Sequence, residues 1–531
     1  MRNLEMPGRS PVHAPTAMAA TSHPLATETA IRILRSGGNA LDAAIGACAV
    51  QCVVEPESTG IGGDAFCIYA PEGSDELVAF NGSGRAPAAA TPQWYAKNAI
   101  EKIERQTPHA VTVPGAVDAW EQLLNDYGSR TLGELLQPAI AYAKDGYPVS
   151  SRVSVDFASQ RALLANDPAA AEIFLFNGKT PSVGTMHRQP ALASTLMKIA
   201  ETGRDAFYTG EVADDIVSFL QSKGGLHTMD DFAAARGEYV DPISTNFRGV
   251  DVYQCPPNGQ GVIALLLLNV MRGIGTFGDN PISIERIHAE IEAGRLAYKD
   301  RNLYVADPSQ AHIPVEWLLA DDHADEIRNA INPDFALNPL PEFTAPQHDS
   351  TVYITVVDKD RNCCSFINTL FANFGSVQMA PKSGVFLQNR GQGFVLDPDH
   401  PNCIGPGKRP LHTIIPGMGV HEGRAVMPFG VMGGQYQAFG HMQFMTRLFD
   451  FGLDIQQAQD HPRFFPNPYT GEVEVESTVP EEIVDALRKK GHKIVAPAKP
   501  IGGSQAIWVD WEQNVLTGGS DPRKDGCAMG Y

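Results

Sequence analysis

Asp349-Ser350-Thr351-Val352-Tyr353-Ile354-Thr355-Val356-Val357-Asp358 marks the sharpest change of pattern in this 531-residue chain. Upstream, from Pro333-Asp334-Phe335 to Gln347-His348, runs a stretch with Pro333, Pro339, Pro341 and Pro346 and no regular apolar period. Downstream the residues turn β-branched and aromatic at once, which predicts a strand. Asp360-Arg361-Asn362 predicts a turn, so residues 351–378 read as a hairpin. Taken alone, Thr351 is only a residue that starts a strand, where threonine is common. Its place between a loosely anchored linker and a strand suits a second reading. Breaking the bond before Thr351 would give it a free α-amine, and that amine can take the proton of its own hydroxyl. One residue would then be both nucleophile and base. A proline-rich linker could swing away after such a cut.

Outward from this junction the chain reads as ordered and globular, with 43% hydrophobic and 19% charged residues. The formal net charge of -20 argues against nucleic acid and anionic membranes, both of which attract basic surfaces. A small-molecule substrate fits better. Met1–Pro7 lacks the apolar core of a signal peptide. The most apolar stretches, residues 40–54 and 261–270, do not read as membrane spans. Eight cysteines, two of them adjacent at Cys363 and Cys364, do not resemble a disulfide framework. These features together predict a cytoplasmic protein with reduced thiols.

Helix signals open at Ser22-His23-Pro24 and stop at Gly37-Gly38, and Asn39 predicts the cap of a helix from Ala40 to about Val54. Strands follow over residues 65–70 and 76–81. Residues 116–330 read mainly as helices, including 131–145, 190–202 and 283–303, with later helices near 433–451 and 480–491.

Several motifs invite chemistry. Gly60-Ile61-Gly62-Gly63 precedes a strand instead of opening a helix, so a dinucleotide loop is disfavoured. Asp358-Lys359-Asp360-Arg361-Asn362 lacks the glycine and final glutamate of a calcium loop. The 15 histidines show no HExxH pairing, and no GxSxG elbow appears. The expectation is therefore no metal and no cofactor. Gly433-Gly434, between an apolar run and a helix pattern, can present backbone N–H groups to an oxyanion. His412 and Thr413 follow Lys408-Arg409-Pro410-Leu411 in a mostly apolar context and read as candidate pocket residues.

These pieces, in this order, resemble the γ-glutamyltranspeptidases, a family of N-terminal-nucleophile hydrolases. The resemblance runs from Ala19-Ala20-Thr21-Ser22-His23-Pro24 to Asp521-Pro522-Arg523. It includes Gly37-Gly38-Asn39-Ala40-Leu41-Asp42, Val113-Pro114-Gly115, Thr351 with Val356-Val357-Asp358, Gly407-Lys408-Arg409-Pro410-Leu411 and Gly433-Gly434. It implies an α/β (α+β) fold, a four-layer αββα sandwich, and self-cleavage into a large subunit, residues 1–350, and a small subunit, residues 351–531. The two would form one αββα domain, and such heterodimers could pair as a homodimer. By position, Thr351 would be the nucleophile, Thr369 would steady it, and Gly433 and Gly434 would form the oxyanion hole. Thr413 would stand at a substrate-contact position that is usually serine.

The departures bear on substrate. The family arginine that grips an α-carboxylate falls at Ser83, with Arg85 two residues on. The family aspartate that holds an α-amine falls at Gly393, and an asparagine on the hairpin falls at Phe371. An α-ammonium buried there without its carboxylate is unfavourable by several kcal/mol, about the penalty for an unpaired buried charge. Arg85 and Arg390 remain to bind one carboxylate, Arg85 being the first choice, with Phe371 filling the space of a longer chain. The expected activity is hydrolysis of a small carboxylate-bearing amide through an acyl-enzyme, as in the oxamate amidohydrolase-like branch. A cytoplasmic glutathione hydrolase with a rebuilt clamp and an uncleaved silent scaffold stay open beside it. Mass spectrometry of freshly purified protein should find residues 1–350 and 351–531 as separate chains, cut between Ser350 and Thr351. One intact chain that still turns over substrate would contradict the N-terminal-nucleophile reading.

Overall fold

The computed structural model describes residues 8–340 and 351–531. Ser350 and residues 341–349 of the predicted linker lie outside the described residues. Two seven-stranded antiparallel sheets face each other. The first runs, edge to edge, Cys527–Gly530, Met18–Thr21, Val352–Val357, Cys363–Thr369, Asp64–Ala70, Val78–Gly82 and Glu238–Val240. The second runs Val12–Ala14, Val515–Ser520, Gly503–Asp510, Arg424–Met432, Gly417–His421, Val250–Gln254 and Ile243–Phe247. Helices Pro24–Arg35, Ala40–Val54 and Ala116–Tyr127 cover the outer face of the first sheet. Helices Gly261–Arg272, Tyr436–Phe449 and Ile455–Asp460 cover the outer face of the second. This is the expected αββα sandwich, with three apolar cores, one in each gap between layers.

The central hairpin shows why the sequence folds this way. Residue alternation sends Ile354, Val356, Cys364 and Phe366 toward the alanine-rich helix, while Tyr353, Val357, Cys363 and Ile367 point into the gap between sheets. With both faces buried, a slip of one residue would swap every side chain, so the register is fixed. Val352 pairs with Asn368, which sets Thr351 opposite Thr369 at the end of the ladder. The two faces also explain the unbroken β-branched run, since a strand covered on both sides needs no polar alternation.

The helix Ala40–Val54 begins where predicted, with Asn39 and Asp42 forming a reciprocal cap. The hairpin ends earlier than expected, at Thr369. The next residues turn irregularly, with Phe371 at φ 83°, a strained value for a bulky side chain. The region 116–330 is not only helical, because three short strands between residues 238 and 254 complete the two sheets. Their partly exposed, polar-rich sequences hid them. The Gly60–Gly63 turn serves close packing. A Cβ on Gly63 would lie 2.0 Å from the Thr369 carbonyl oxygen. Among the described residues no helix is long and apolar enough to cross a membrane.

Asp358 ties the hairpin turn to the buried helix. Its carboxylate accepts from Ala40 N at 2.9 Å, Asp360 N and Asn362 N at 3.0 Å each, and Asn362 Nδ2 at 2.7 Å. Asp358→Ala should destabilise the protein by roughly 2–4 kcal/mol, since it leaves several donors without an acceptor. A clear fall in the urea midpoint checks this, and an unchanged midpoint contradicts it.

Candidate active site

Thr351 is buried at the end of the hairpin, and its Oγ1 lies 3.3 Å from Thr369 Oγ1. Thr369 Oγ1 also accepts from Phe371 N at 2.9 Å, so the strained turn orients the hydroxyl that faces Thr351. From the other sheet, Gln437 Nε2 donates to Thr351 Oγ1 at 3.3 Å, and Gln437 Oε1 accepts from Ile415 N at 3.1 Å. Gln437 therefore clasps Thr351 from the second sheet's helix. Its place in the first turn of a helix after a glycine pair was its only sequence signal.

Gly433 and Gly434 sit between the strand Arg424–Met432 and the helix Tyr436–Phe449, with φ values of 120° and 60°. A Cβ on Gly433 would meet Gly502 Cα at 2.8 Å, so close approach and backbone conformation both call for glycine. Neither amide donates a hydrogen bond among the described residues. Gln260 Nε2 bridges the Gly434 and Thr413 carbonyls at 3.1 and 2.9 Å, joining this turn to the Thr413 segment.

Arg390 is fully buried, its guanidinium 3.8 Å over the Phe371 ring. Nη1 donates to Thr413 Oγ1 at 3.0 Å, while Nε and Nη2 find no acceptor among the described residues. Burial lowers its pKa to about 9, against the opposing pull of Asp64. Asp64 is pushed up to about 6 by burial, partly offset by Arg390 and by donors from Gln388, Gly84 and Gly115. His412 Nε2 lies 3.0 Å from Asp64, and its Nδ1 accepts from Ile414 N at 3.3 Å. The proton thus sits on Nε2 and points to Asp64. Burial, Arg390 and Arg409 hold the imidazole neutral, well below the usual histidine range. His412 is a support behind Asp64, itself a residue that the sequence reading missed.

The structure separates Arg85 from this group. Its guanidinium donates to the Gly407 carbonyl at 3.0 Å and lies 3.6 Å from Asp307 and 3.8 Å from Glu238. Two carboxylates already meet its charge. Ser83, at the position of the missing arginine, is absorbed by Asn81 and Asn258. Gly393, at the position of the missing aspartate, lends only its carbonyl, to Asn402 Nδ2 at 2.6 Å.

Among the described residues, one grouping elsewhere has metal-ligand chemistry: His288, Glu292 and His492. The hydrogen bonds of the two histidines use all four ring nitrogens. His288 Nε2 donates to the Asn332 carbonyl at 2.7 Å, its Nδ1 accepts from His492 Nε2 at 2.8 Å, and His492 Nδ1 accepts from Arg295 at 3.3 Å. Arg295 also pairs with Glu292 at 2.7 Å. A resident guanidinium and a saturated donor set do not fit a cation.

A family model described as γ-glutamyltranspeptidase matches residues 26–531. The chain is 39% identical to the glutathione hydrolase-like YwrD proenzyme of Bacillus subtilis, over 97% of this chain and 98% of that one. It is 32% identical to the oxamate amidohydrolase proenzyme of Klebsiella pneumoniae, over 97% and 98%. A crystal structure of cephalosporin acylase from Bacillus halodurans superposes with a TM-score of 0.92 at 40% identity, covering 100% of this chain and 99% of that one. With the αββα sandwich and a threonine at the start of its central hairpin, the chain belongs to the γ-glutamyltranspeptidase family of self-processing amide hydrolases.

Proposed function

We propose that this enzyme hydrolyses an amide whose acyl half is small and carries a carboxylate, oxamate being the simplest such compound. The observation that carries this reading is Arg390, a buried guanidinium beside the Thr369–Phe371 turn with two nitrogens unused among the described residues. Such a group is costly to bury unless an acceptor meets it, and a carboxylate matches its planar fork. Phe371 walls the space that a glutamyl chain would enter, and Ser83 and Gly393 offer no clamp for an α-amino acid. The oxamate amidohydrolase of Klebsiella pneumoniae supports the choice of substrate class. The glutathione hydrolase-like relative keeps γ-glutamyl amides as the alternative.

In the proposed reaction, cleavage before Thr351 yields the subunits 1–350 and 351–531. The α-amine of Thr351 takes the proton of Oγ1 as the hydroxyl attacks the amide carbonyl. The Gly433 and Gly434 amides stabilise the resulting oxyanion, and Thr369 and Gln437 hold the hydroxyl in line. The amine leaves with the proton held on the Thr351 amine, and water hydrolyses the ester. Arg390 and Thr413 hold the acyl carboxylate. Eight unpaired cysteines are in keeping with a reducing, cytoplasmic setting.

Arg390→Gln should lower kcat/KM for oxamate by about 10- to 100-fold, as loss of a charge-assisted hydrogen bond of about 1.5–3 kcal/mol implies. Arg85→Lys should change it by less than about threefold. The reverse ranking, or efficient glutathione hydrolysis with no activity on oxamate, would overturn the acyl assignment.

A pH dependence follows from Asp64, whose folded pKa of about 6 lies above its ordinary value. Below pH 6 the carboxyl is neutral and no longer offsets Arg390, so a substrate carboxylate binds more tightly. KM for oxamate should therefore fall as pH drops through 6, and Asp64→Asn should hold KM low across the range. A KM that rises on acidification in the wild type would contradict this coupling.

A further inference from the structure

Arg301, near the end of the helix Ile284–Tyr304, is fully buried behind the Gly433–Gly434 turn. Its guanidinium is richly bonded. Nη1 donates to Gln260 Oε1 at 3.0 Å and to Gln435 Oε1. Nη2 donates to Tyr469 Oη at 3.0 Å and to Asn302 Oδ1 at 2.9 Å, and Nε donates to the same Asn302 oxygen at 3.1 Å. It also lies 4.6 Å over the Tyr298 ring. Every one of these partners is neutral. A buried guanidinium ordinarily meets a carboxylate, and other buried arginines of this chain do: Arg286 and Arg447 share Glu290, and Arg463 pairs with Asp521. At Arg301 the hydrogen bonds are satisfied and the charge is left uncompensated.

Two relays run from Arg301 to the glycine turn. Gln260, which accepts from the guanidinium, donates its Nε2 to the Gly434 carbonyl at 3.1 Å. Tyr298, beneath the guanidinium, donates its hydroxyl to the Gln435 carbonyl. The Gly434 and Gln435 carbonyls are thus held on the Arg301 side.

We propose that Arg301 is a positioning residue for the oxyanion: it fixes the Gly433–Gly434 turn through Gln260 and Tyr298, and its uncompensated charge stabilises the anion that the turn binds. The proposal rests on the reading of Thr351 as the attacking residue and of this turn as the oxyanion hole. When Thr351 Oγ1 bonds to the amide carbon, the carbonyl electron pair moves onto oxygen, and it returns as the C–N bond breaks. When water attacks the ester, the pair moves to oxygen again and returns as the bond to Oγ1 breaks. Negative charge therefore develops at the turn in both steps and is absent from the bound substrate. A fixed cation shielded from water favours the transition state over the ground state, so its effect falls on kcat whichever step limits.

Asn302 supplies the test. Its Oδ1 takes two of the guanidinium's hydrogen bonds, while its buried Nδ2 has no partner among the described residues. Asn302→Asp keeps both bonds, removes the unmet donor and supplies the missing counter-ion with almost no change of shape. If Arg301 were only a structural support, this variant would be as stable as the wild type and as active. The proposal predicts an equal or higher urea midpoint, a kcat lowered about tenfold and a KM within about threefold of the wild type. Arg301→Met should lower kcat at least as far, and Arg301→Lys should recover part of it. If Arg301→Met does not fold, Asn302→Asp decides. Oxamate and a γ-glutamyl anilide are both assayed, since the oxyanion is common to the two. Failure of the acyl assignment would appear as a silent oxamate reaction beside an active anilide, with the effect of Asn302→Asp intact. A fall in kcat of less than about fivefold in Asn302→Asp, a change confined to KM, or a lowered midpoint in that variant would overturn the proposal. Wild-type turnover of neither compound would overturn it together with the acyl reading.

Discussion

The register that pairs Val352 with Asn368 is the constraint on which the site depends. It is held by burial on both faces: one set of side chains packs under the Ala40–Val54 helix, the other into the gap between sheets. A shift of one residue would send Tyr353 against the helix and Ile354 into the gap, which neither core could accept. Because the register cannot slip, Thr351 must face Thr369. Because the sheets are packed on each other, the Gly433 turn and Gln437 of the second sheet must close over the same end. The site is thus a corner where two rigid sheets meet, and its geometry derives from their cores.

Electrostatics set what that corner can accept. The Arg390 guanidinium is fully buried, partly balanced by Asp64, and Asp64 is in turn held by neutral His412. The guanidinium of Arg390 lies over the Phe371 ring and donates to Thr413, beside the turn that holds Thr369. Lys524 and Arg152 line a separate space beside Thr351 and Gly433.

Much of this was legible in the sequence where the signal is local. The β-branched run after Ser350 and the Asn39 cap carry their meaning in a few adjacent residues, and the structure places the strand and the capped helix as read, while the glycine pair at 433–434 falls between a strand and a helix. The strands between residues 238 and 254 were missed because they are short and polar-rich, and join the sheets through distant partners. Arg85 and Arg390 look alike in one dimension. Only the fold reveals that Asp307 and Glu238 meet the first, whereas the second is sealed beside Phe371. Asp64 and Gln437 escaped notice for the same reason, since their roles arise from residues hundreds or tens of positions away.

The central claim is that Thr351, freed at its amine, carries the acyl group. Rapid acid quenching during turnover, followed by mass analysis of the 351–531 chain, tests it most directly. The account predicts that this chain gains the mass of the acyl group and that fragmentation places the addition on Thr351. An addition on any other residue, or turnover with the chain unmodified at every time point, would contradict it.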